Sequence, residues 1–263
     1  MWGLCGAMLT ENELVRYGRQ ILHPDFGEVG QKRLKDSHVI VAGLGGLGCA
    51  ASIYLVCAGV GKLTIVDCDS VELSNLNRQV LYCDEDIGKH KTSAAAQKLA
   101  RLNPSVELVP RYEKVSPENV QLIIRGADAV VDGMDNFEGR VALNCGCVSE
   151  RIPFIHGGVS GLNGEATTII PGETPCFNCI FPTIPRERGV SPVFGVTPAI
   201  IAAVQVMEAI KLLSGLGDLL AGRMLYVNGT TMSFRVSAIS IDPACRICGP
   251  DKNPSQASMR PCS

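Results

Sequence analysis

The 263-residue sequence lacks an excess of charge of either sign. It has 24 Lys and Arg residues against 26 Asp and Glu residues, so its formal net charge is −2. Because this balance gives no broad positive field, we expect neither a nucleic-acid partner nor attraction to an anionic membrane. Charged residues make up only 19% of the chain and hydrophobic residues 46%, a composition that excludes a disordered protein.

The sequence also lacks segments for secretion or membrane insertion. No stretch reaches the roughly 18 uninterrupted apolar residues of a membrane span, because Gln205, Glu208 and Lys211 interrupt the most apolar segment, Thr197–Ser214. The N-terminal segment MWGLCGAMLT has no basic residue, so a secretory signal is not expected. We therefore expect a cytoplasmic protein with no membrane association.

Familiar catalytic motifs are missing as well. The sequence has no G-x-S-x-G and no H-E-x-x-H, and its four histidines are scattered without the spacing of metal ligands. The twelve cysteines are numerous for a cytoplasmic protein. Since thiols stay reduced in that compartment, clustered cysteines indicate metal ligands or catalytic groups before disulfides.

Apolar runs and helical segments alternate along the first part of the chain. This alternation predicts an α/β fold, with a doubly wound, Rossmann-like, mainly parallel sheet. After Gly157 the pattern changes: Glu165–Ile170 predicts another strand, and two strand segments flank Asn228-Gly229, which is typical of an antiparallel hairpin. The runs interpreted as parallel strands end at Ala42, Asp67, Pro110, Asp132 and His156.

A glycine-rich segment, Gly43–Gly48 (GLGGLG), lies between a predicted strand and a predicted helix. Its G-x-G-x-x-G pattern lets backbone N–H groups approach a phosphate at the positive end of the helix. Asp67 follows 19 residues after Gly48, where an acid accepts hydrogen bonds from ribose hydroxyls. The pattern predicts a nucleotide site without separating ATP from NAD, and a turn that only packs helix on strand is the alternative.

The segment Ser74–Gln79 (SNLNRQ), followed by Lys91, favours ATP. An NAD enzyme needs no Asn, Arg and Lys cluster beyond its ribose acid, whereas an enzyme that splits a triphosphate needs cations at the phosphoryl oxygens. A solvated polar loop is the alternative. Asp135 follows a strand at its carboxyl end, where open α/β sheets bind ligands, and is suited either to hold Mg²⁺ or to cap the next helix.

Two C-x-x-C pairs, separated by 65 residues, predict a metal site. Four thiolates form a closed, tetrahedral structural zinc site. A redox motif is the alternative, but it explains one pair and leaves the second without a role. We therefore predict zinc bound by Cys176, Cys179, Cys245 and Cys248.

These motifs, together with Arg16–Gln20 (RYGRQ), resemble the ThiF/MoeB/HesA family, the prokaryotic relatives of ubiquitin-activating enzymes. The resemblance extends from Leu14 to Gly249. It implies a homodimer that uses ATP and Mg²⁺ to adenylate the C-terminal Gly-Gly carboxylate of a small ubiquitin-like sulfur carrier, ThiS- or MoaD-like. Pyrophosphate leaves, and a separate sulfur donor completes a thiocarboxylate, in thiamin or in molybdopterin biosynthesis.

The resemblance also implies roles for individual residues. Arg19 reaches the ATP of the partner subunit, and Asp135 acts through Mg²⁺. The implied catalytic residues are Arg19, Arg78, Lys91 and Asp135. The implied nucleotide-binding residues are Gly43, Gly45, Gly46, Asp67, Asp69, Asn75, Arg78, Lys91, Asp135 and Asn136. One domain is expected over 1–263: a helical segment (1–36), a nucleotide-binding part (37–157), a carrier-binding part with the zinc site (158–249) and a frayed tail (250–263).

One loop departs from the family pattern. Members that form a thioester or persulfide carry a cysteine before the long apolar helix, but Thr183–Phe194 has none and carries Arg186, Glu187 and Arg188. We therefore expect an acyl-adenylate released to an external donor. Cys145 and Cys147 are poor substitutes for the missing cysteine, because both are expected to be buried on the helix over 137–150.

The expected chemistry needs no general base, because a C-terminal carboxylate with a pKa near ~3.5 is already ionised at about pH 7. The barrier comes from bringing two anions together, so cations and backbone N–H groups suffice. Three alternatives remain at this point. They are an NAD-dependent dehydrogenase, a relative that activates a small carboxylate on modified tRNA, and an inactive scaffold that binds a ubiquitin-like protein.

Overall fold

A computed structural model describes residues 8–183 and 192–249. One eight-stranded sheet runs through this part of the chain in the order β3-β2-β1-β4-β5-β6-β7-β8. The pairs among β1 to β5 are parallel, and the pairs from β5 to β8 are antiparallel. The strands are β1 (His38–Ala42), β2 (Lys62–Asp67), β3 (Glu107–Tyr112), β4 (Ala129–Asp132), β5 (Phe154–Ser160), β6 (Asn163–Ile169), β7 (Arg223–Asn228) and β8 (Ser233–Ala238).

Helices cover both faces of the parallel strands, as the doubly wound fold requires. Short 3₁₀ turns lie at Leu73–Asn75 and Asp84–Asp86. The predicted fold class is confirmed, including the antiparallel C-terminal hairpin. The helices are α1 (Glu11–Arg16), α2 (Gly18–Ile21), α3 (Gly27–Lys35), α4 (Gly46–Ala58), α5 (Lys91–Leu102), α6 (Val120–Ile124), α7 (Phe137–Glu150), α8 (Phe177–Ile180) and α9 (Val196–Ser214).

Alternate residues of β1 enter two separate cores. Val39 and Val41 pack with residues of α4, α5 and α9 on one side of the sheet. Ile40 and Ala42 pack on the other side with residues of α6, α7 and α8. Because side chains alternate across a strand, one continuous apolar run supplies both layers, and this explains why β1 is apolar throughout.

The long helix α9 is a core helix in this fold. By length and composition alone it could cross a membrane, but it packs against α4, β5 and β6. From the sequence, Thr197-Pro198 predicts an N-cap at Thr197 and Gly215 predicts the end of the helix. The predicted N-cap is wrong: the helix begins at Val196 after Gly195, and Thr197 Oγ1 donates to the Gly161 carbonyl at 2.9 Å. The predicted stop at Gly215 is confirmed, since that residue has the left-handed conformation (φ 77°) that glycine adopts readily.

The antiparallel strands place side chains in rows, because residues directly opposite each other in an antiparallel pair point to the same face. One row runs from β5 to β8 through Gly158, Glu165, Tyr226 and Arg235. A second, parallel row runs through Ser160, Asn163, Asn228 and Ser233. We call the surface formed by these eight residues the antiparallel face.

Candidate functional site

A cleft of about 1200 Å³ lies at the carboxyl ends of the parallel strands and extends over the antiparallel face. The glycine-rich segment lines it with Gly45 and Gly46, and the segment after β4 lines it with Asp135. Every residue of the antiparallel face also lines it. The cleft is thus one continuous cavity that joins five of the predicted nucleotide-binding residues to the C-terminal strands: Gly45, Gly46, Asn75, Arg78 and Asp135. The other five predicted residues are not among the described residues that line it: Gly43, Asp67, Asp69, Lys91 and Asn136.

Close backbone contacts explain the glycines. Gly43 has φ 90°, and a Cβ there would lie 2.5 Å from the Gly133 carbonyl oxygen. A Cβ on Gly48 would lie 1.8 Å from the Gly43 carbonyl oxygen. Gly45 is the N-cap of α4 and provides no side-chain cap, which leaves the first N–H groups of that helix to a ligand in the cleft. Gly43 therefore serves packing against Gly133, while Gly45 faces the cleft.

Asp67, Asp69 and Lys91 form a charged cluster behind the glycine-rich segment. The Asp67 carboxylate accepts from the N–H groups of Leu44 (2.7 Å) and Asp69 (2.8 Å). Burial raises the pKa of Asp67 above its ordinary value, although the positive charge of Lys91 opposes this shift. The carboxylate thus buttresses the loop that carries Gly45. Asp67 is not among the described residues that line the cleft, so its role at a ribose stays a prediction.

Lys91 is buried, and its Nζ donates to Asp69 Oδ2 at 2.8 Å. Burial lowers the pKa of Lys91, but the charge of Asp67 and the hydrogen bond to Asp69 outweigh burial, so the pKa is raised overall. The ammonium form is therefore the stable one near neutral pH. The negative charge of Asp135 contributes to the same shift, although Lys91 is not among the described residues that line the cleft.

The segment Ser74–Gln79 forms one wall of the cleft. Asn75 is buried, and its Oδ1 accepts from the Glu72 N–H at 3.0 Å. Arg78 lines the cleft with its Nη1 donating to the Ser74 carbonyl at 2.8 Å and to Asn77 Oδ1 at 2.9 Å. The segment is therefore held by its own hydrogen bonds, with Asn75 and Gln79 buried and Ser74 and Asn77 exposed, and its role at phosphates stays a prediction.

Two roles were considered for the segment after β4, capping the next helix and holding Mg²⁺, and the structure assigns the first of them to Asn136. Asn136 caps α7, since its Oδ1 accepts from the Gly139 N–H at 2.8 Å. Its Nδ2 donates to Asp135 Oδ1 at 3.2 Å. Asp135 is exposed and lines the cleft, so the alternative role as a helix cap falls to Asn136 and the Asp135 carboxylate faces the cavity.

Arg19 stands apart from these residues. It is exposed on α2, and within the described ranges it is not among the residues that line the cleft. Its predicted role therefore depends on a second subunit. The loop residues Arg186, Glu187 and Arg188 lie outside the described residues, so the prediction about that loop stays a prediction.

The four predicted cysteines come together. Their sulfur atoms all lie within 4.8 Å of one another, with Cys176 and Cys245 at 3.6 Å and Cys179 and Cys248 at 3.3 Å. A tetrahedral site with Zn–S bonds of about 2.3 Å has sulfur atoms ~3.8 Å apart, so the cluster fits a zinc ion. Cys147 is buried as predicted, and burial raises the pKa of its thiol, whereas Cys145 is only half-buried and that expectation is wrong.

A buried polar network beside the cleft was missed from the sequence. His156 Nδ1 lies 2.6 Å from Asp132 Oδ2, and Arg140 Nε lies 3.2 Å from the same oxygen. Arg140 and Glu165 line the cleft on either side of this buried pair. In the sequence, Asp132 and His156 appear only as the last residues of two predicted strands. The strand register that brings His156 close to Glu165 is not visible in the sequence.

Comparison with known proteins identifies the family. Residues 17–247 match the model of the ThiF family, so the chain belongs to it. The SAMP-activating enzyme E1 of Haloferax volcanii is 42% identical over 247 residues, which cover 92% of this chain and 91% of that protein. The heterocyst protein HesA of Trichormus variabilis is 40% identical over 245 residues, with 92% and 91% covered.

Other relatives are longer than this chain. The adenylyltransferase and sulfurtransferase MOCS3 of Drosophila ananassae is 40% identical over 94% of this chain, which spans only 56% of that protein. Among solved structures, E. coli MccB with ATP has a TM-score of 0.81 at 24% identity, covering 89% of this chain and 74% of MccB. A likeness at that identity shows the shared fold alone.

Proposed function

We propose that this protein is an adenylyltransferase that uses ATP and Mg²⁺ to activate the C-terminal Gly-Gly carboxylate of a small ubiquitin-like sulfur carrier, of the thiamin or the molybdopterin type. The observation that carries the proposal is the single cleft in which the N-terminus of α4, Arg78 and Asp135 meet. Relatives named as an activating enzyme and as an adenylyltransferase support the same activity.

The residues at the cleft suit a reaction between two anions. The N–H groups that follow Gly45 are placed to bind phosphate oxygens, and Arg78 contributes positive charge at the cleft wall. Lys91 is buried behind the cleft and paired with Asp69, so a direct contact between Lys91 and phosphate is part of the proposal. Asp135 is the carboxylate that would hold Mg²⁺, which neutralises phosphate charge when bound. Because the carrier's terminal carboxylate is already ionised, these residues bind and align the reactants and no proton has to be removed.

The glycines of the cleft support a tail that ends in glycine. Gly46 and Gly158 line the cavity, and a Cβ at either position would approach another residue of the cleft wall, Pro198 or Glu165. A Cβ on Gly46, for example, would lie 2.9 Å from Pro198 Cγ. A chain without side chains at its last residues fits such a path, and the antiparallel face extends the path toward the body of the carrier.

We infer a homodimer and a separate sulfur donor as further parts of the proposal. Exposed apolar side chains lie around α2: Leu22 follows this helix directly, and Tyr54 on α4 and Met207 on α9 line a surface hollow together with Gln20 of α2. Large exposed apolar side chains that lie close together are typical of a protein interface. Burial of this surface in a dimer would place Arg19 near a second chain.

The proposal is tested by ATP–pyrophosphate exchange with purified ThiS-like and MoaD-like carriers. Exchange that requires Mg²⁺ and a carrier ending in Gly-Gly is expected. A carrier with one added C-terminal residue is the matched control, because its carboxylate is displaced from the α-phosphate. Tight NAD binding without exchange would indicate a dehydrogenase, and exchange with a modified tRNA alone would indicate the small-carboxylate alternative.

A further inference from the structure

Arg140 on α7 is held at the edge of the cleft by three other residues. Its Nη2 donates to the Met134 carbonyl at 2.7 Å and to the Gly157 carbonyl at 3.2 Å. Its Nε lies 3.2 Å from Oδ2 of the fully buried Asp132. The ring of Phe137 lies beside the guanidinium, with its centroid 5.9 Å from Cζ. The side chain is therefore fixed in place, and 12% of it is exposed.

The third nitrogen of the guanidinium, Nη1, is available to a ligand. An arginine has five N–H donors, and the contacts of Nε and Nη2 leave the two donors on Nη1. Nη1 makes no hydrogen bond or ion pair with any residue that the structure describes. It is also not among the buried side-chain atoms that lack a partner. Since Arg140 lines the cleft, these two donors meet its open space.

The guanidinium lies at the boundary between the two halves of the cleft. The Met134 carbonyl belongs to the segment after β4, and the next residue, Asp135, lines the cleft. The Gly157 carbonyl belongs to β5, and the next residue, Gly158, belongs to the antiparallel face. Arg140 therefore bridges the half that contains the glycine-rich segment and the half that contains the antiparallel strands.

The charges around the cleft make this position distinctive. Two other arginines of the described chain line the cleft, and they lie on opposite sides of the boundary: Arg78 beside the glycine-rich segment and Arg235 on β8. Acids line the cleft as well, Asp135 and Glu165 among them, and their charge opposes the entry of an anion. An anion that reaches the boundary therefore needs the positive charge of Arg140.

We propose that Arg140 is a catalytic residue: its Nη1 binds the C-terminal carboxylate of the carrier and directs one carboxylate oxygen to the α-phosphate of ATP. This inference rests on the proposed function. In that proposal the tail lies over the antiparallel face and the triphosphate lies at the N-terminus of α4, so the carboxylate arrives at the boundary between them. An arginine suits this task, because its planar fork of donors matches a carboxylate and keeps its positive charge.

The bound carboxylate is aligned for attack and stays a nucleophile. While one of its oxygens accepts from Nη1, the other forms the bond to the α-phosphorus, and the bond from that phosphorus to the bridging oxygen of pyrophosphate breaks. The electron pair of that bond leaves with pyrophosphate, and no proton moves. Because the contacts to Met134, Gly157 and Asp132 fix the guanidinium beforehand, little side-chain freedom is lost when the tail binds.

Two forms of one ThiS-like or MoaD-like carrier isolate this contact. The first ends in the natural carboxylate, and the second ends in a carboxamide, which has a similar shape and no charge. The Kd of each form is measured by calorimetry without ATP, so that no adenylate is made. The wild-type protein should bind the carboxylate form about tenfold more tightly, the effect of one hydrogen bond between charged groups. In Arg140→Gln the two forms should have the same Kd.

The ratio of the two Kd values separates binding of the carboxylate from support of the fold. If Arg140 only links Met134, Gly157 and Asp132, then Arg140→Gln weakens both forms equally and the preference for the carboxylate stays, which would overturn the proposal. Arg235→Gln is the matched control, because it removes another arginine that lines the cleft. It should weaken both forms by the same factor and keep the preference.

Arg140→Lys tests the same contact with a smaller change. Lysine keeps a positive charge next to Asp132 but has one compact ammonium group in place of the fork, so the preference for the carboxylate should fall to about threefold. This variant decides the question if Arg140→Gln does not fold. An undiminished preference in Arg140→Lys would then refute the proposal.

ATP binding and exchange separate this inference from the proposed function. The Kd for ATP, measured without carrier, should change less than about twofold in Arg140→Gln. A large loss of ATP affinity together with an unchanged carboxylate preference would assign Arg140 to a phosphate and would overturn the inference alone. Exchange by the wild-type protein with an unchanged preference in both variants would also refute only the inference. No exchange with any carrier would refute the proposed function, and the inference with it.

Discussion

The parallel and the antiparallel strands of the sheet belong to one structure but meet different surroundings. Strands β1 and β4 are buried on both faces, and their polar residues are confined to the strand ends, His38 at the start of β1 and Asp132 at the end of β4. Strands β7 and β8 are partly exposed, and polar side chains alternate along them. In the parallel half, function is therefore carried by segments that follow strands, whereas in the antiparallel half it is carried by the strands themselves.

This difference suggests that the two halves of the cleft bind different parts of the reactants. The parallel half provides the N-terminus of α4, Arg78 and Asp135, which suit phosphates. The antiparallel face provides hydrogen-bonding groups and one Glu–Tyr–Arg row, which suit a peptide. Variants in the two halves should therefore change different kinetic constants.

The largest effect is expected from Asp135→Ala in the parallel half. Removal of the carboxylate that would hold Mg²⁺ should reduce ATP–pyrophosphate exchange by at least ~100-fold, comparable to the loss of one key electrostatic group. The fold should be retained, because Asn136 and not Asp135 caps α7. Glu138→Ala, an exposed acid on the same helix and outside the cleft lining, is the control and should keep wild-type exchange.

The next effect concerns the cysteine cluster, which joins the segment after β6 to the segment after β8. Cys245→Ser should lose bound zinc and lower the melting temperature together, because a structural site contributes folding free energy. Metal analysis of protein purified without chelator should find about one zinc per wild-type chain. Cys57→Ser, at an exposed cysteine outside the cluster, should change neither quantity. A full zinc content in Cys245→Ser would contradict the assignment.

A smaller effect is expected on the antiparallel face. Arg235 lies over the ring of Tyr226, 5.8 Å from its centroid, and lines the cleft. Arg235→Ala should raise the KM for the carrier about three- to tenfold and leave the KM for ATP unchanged, since a cation–π contact and one charged contact are lost. Arg223→Ala, at an exposed arginine of β7 outside the cleft lining, is the matched control. If Arg235→Ala changed the KM for ATP instead, the division between the two halves would be wrong.

The same comparison explains what could be read from the sequence. The glycine-rich segment and Asp135 were predicted because their neighbours in the sequence are also their structural context: a strand ends, a turn follows and a helix begins. The cysteine cluster was predicted because its two pairs carry their own spacing. The roles of Asp67, Asn75 and Arg78 were predicted from spacing and residue type, but their contacts required the structure.

The antiparallel half resisted prediction because its contacts depend on register. His156 and Glu165 are separated by a turn and several ordinary residues, and a shift of one residue in the pairing would turn Glu165 to the other face. Asp132 and Arg140 join the pair from a strand and a helix of the parallel half. Local propensity was also misleading at Thr197. This residue lies inside the first turn of α9, and its hydroxyl donates to the Gly161 carbonyl instead of capping the helix.

The last prediction concerns Arg19 and has the smallest expected effect, a decrease of about twofold in the exchange rate of a mixed dimer. Its outcome depends on which subunit provides the arginine to each site. Arg19 is exposed and outside the cleft lining of its own chain, so we expect it to act in the site of a partner subunit. Chains with Arg19→Ala and chains with Asp135→Ala, each nearly inactive alone, are combined into a mixed dimer by co-expression with two tags. One site of that dimer then keeps Asp135 from its own chain and Arg19 from the partner, and the other site lacks both.

Exchange at about half the wild-type rate is expected for action between subunits, because one of two sites is intact. An arginine acting within its own chain leaves each site with one defect, so a mixed dimer as inactive as its parents would refute the arrangement. A mixed dimer of Arg16→Ala with Asp135→Ala chains is the control, since the Arg16 guanidinium donates to the Leu102 carbonyl at 3.1 Å within its own chain.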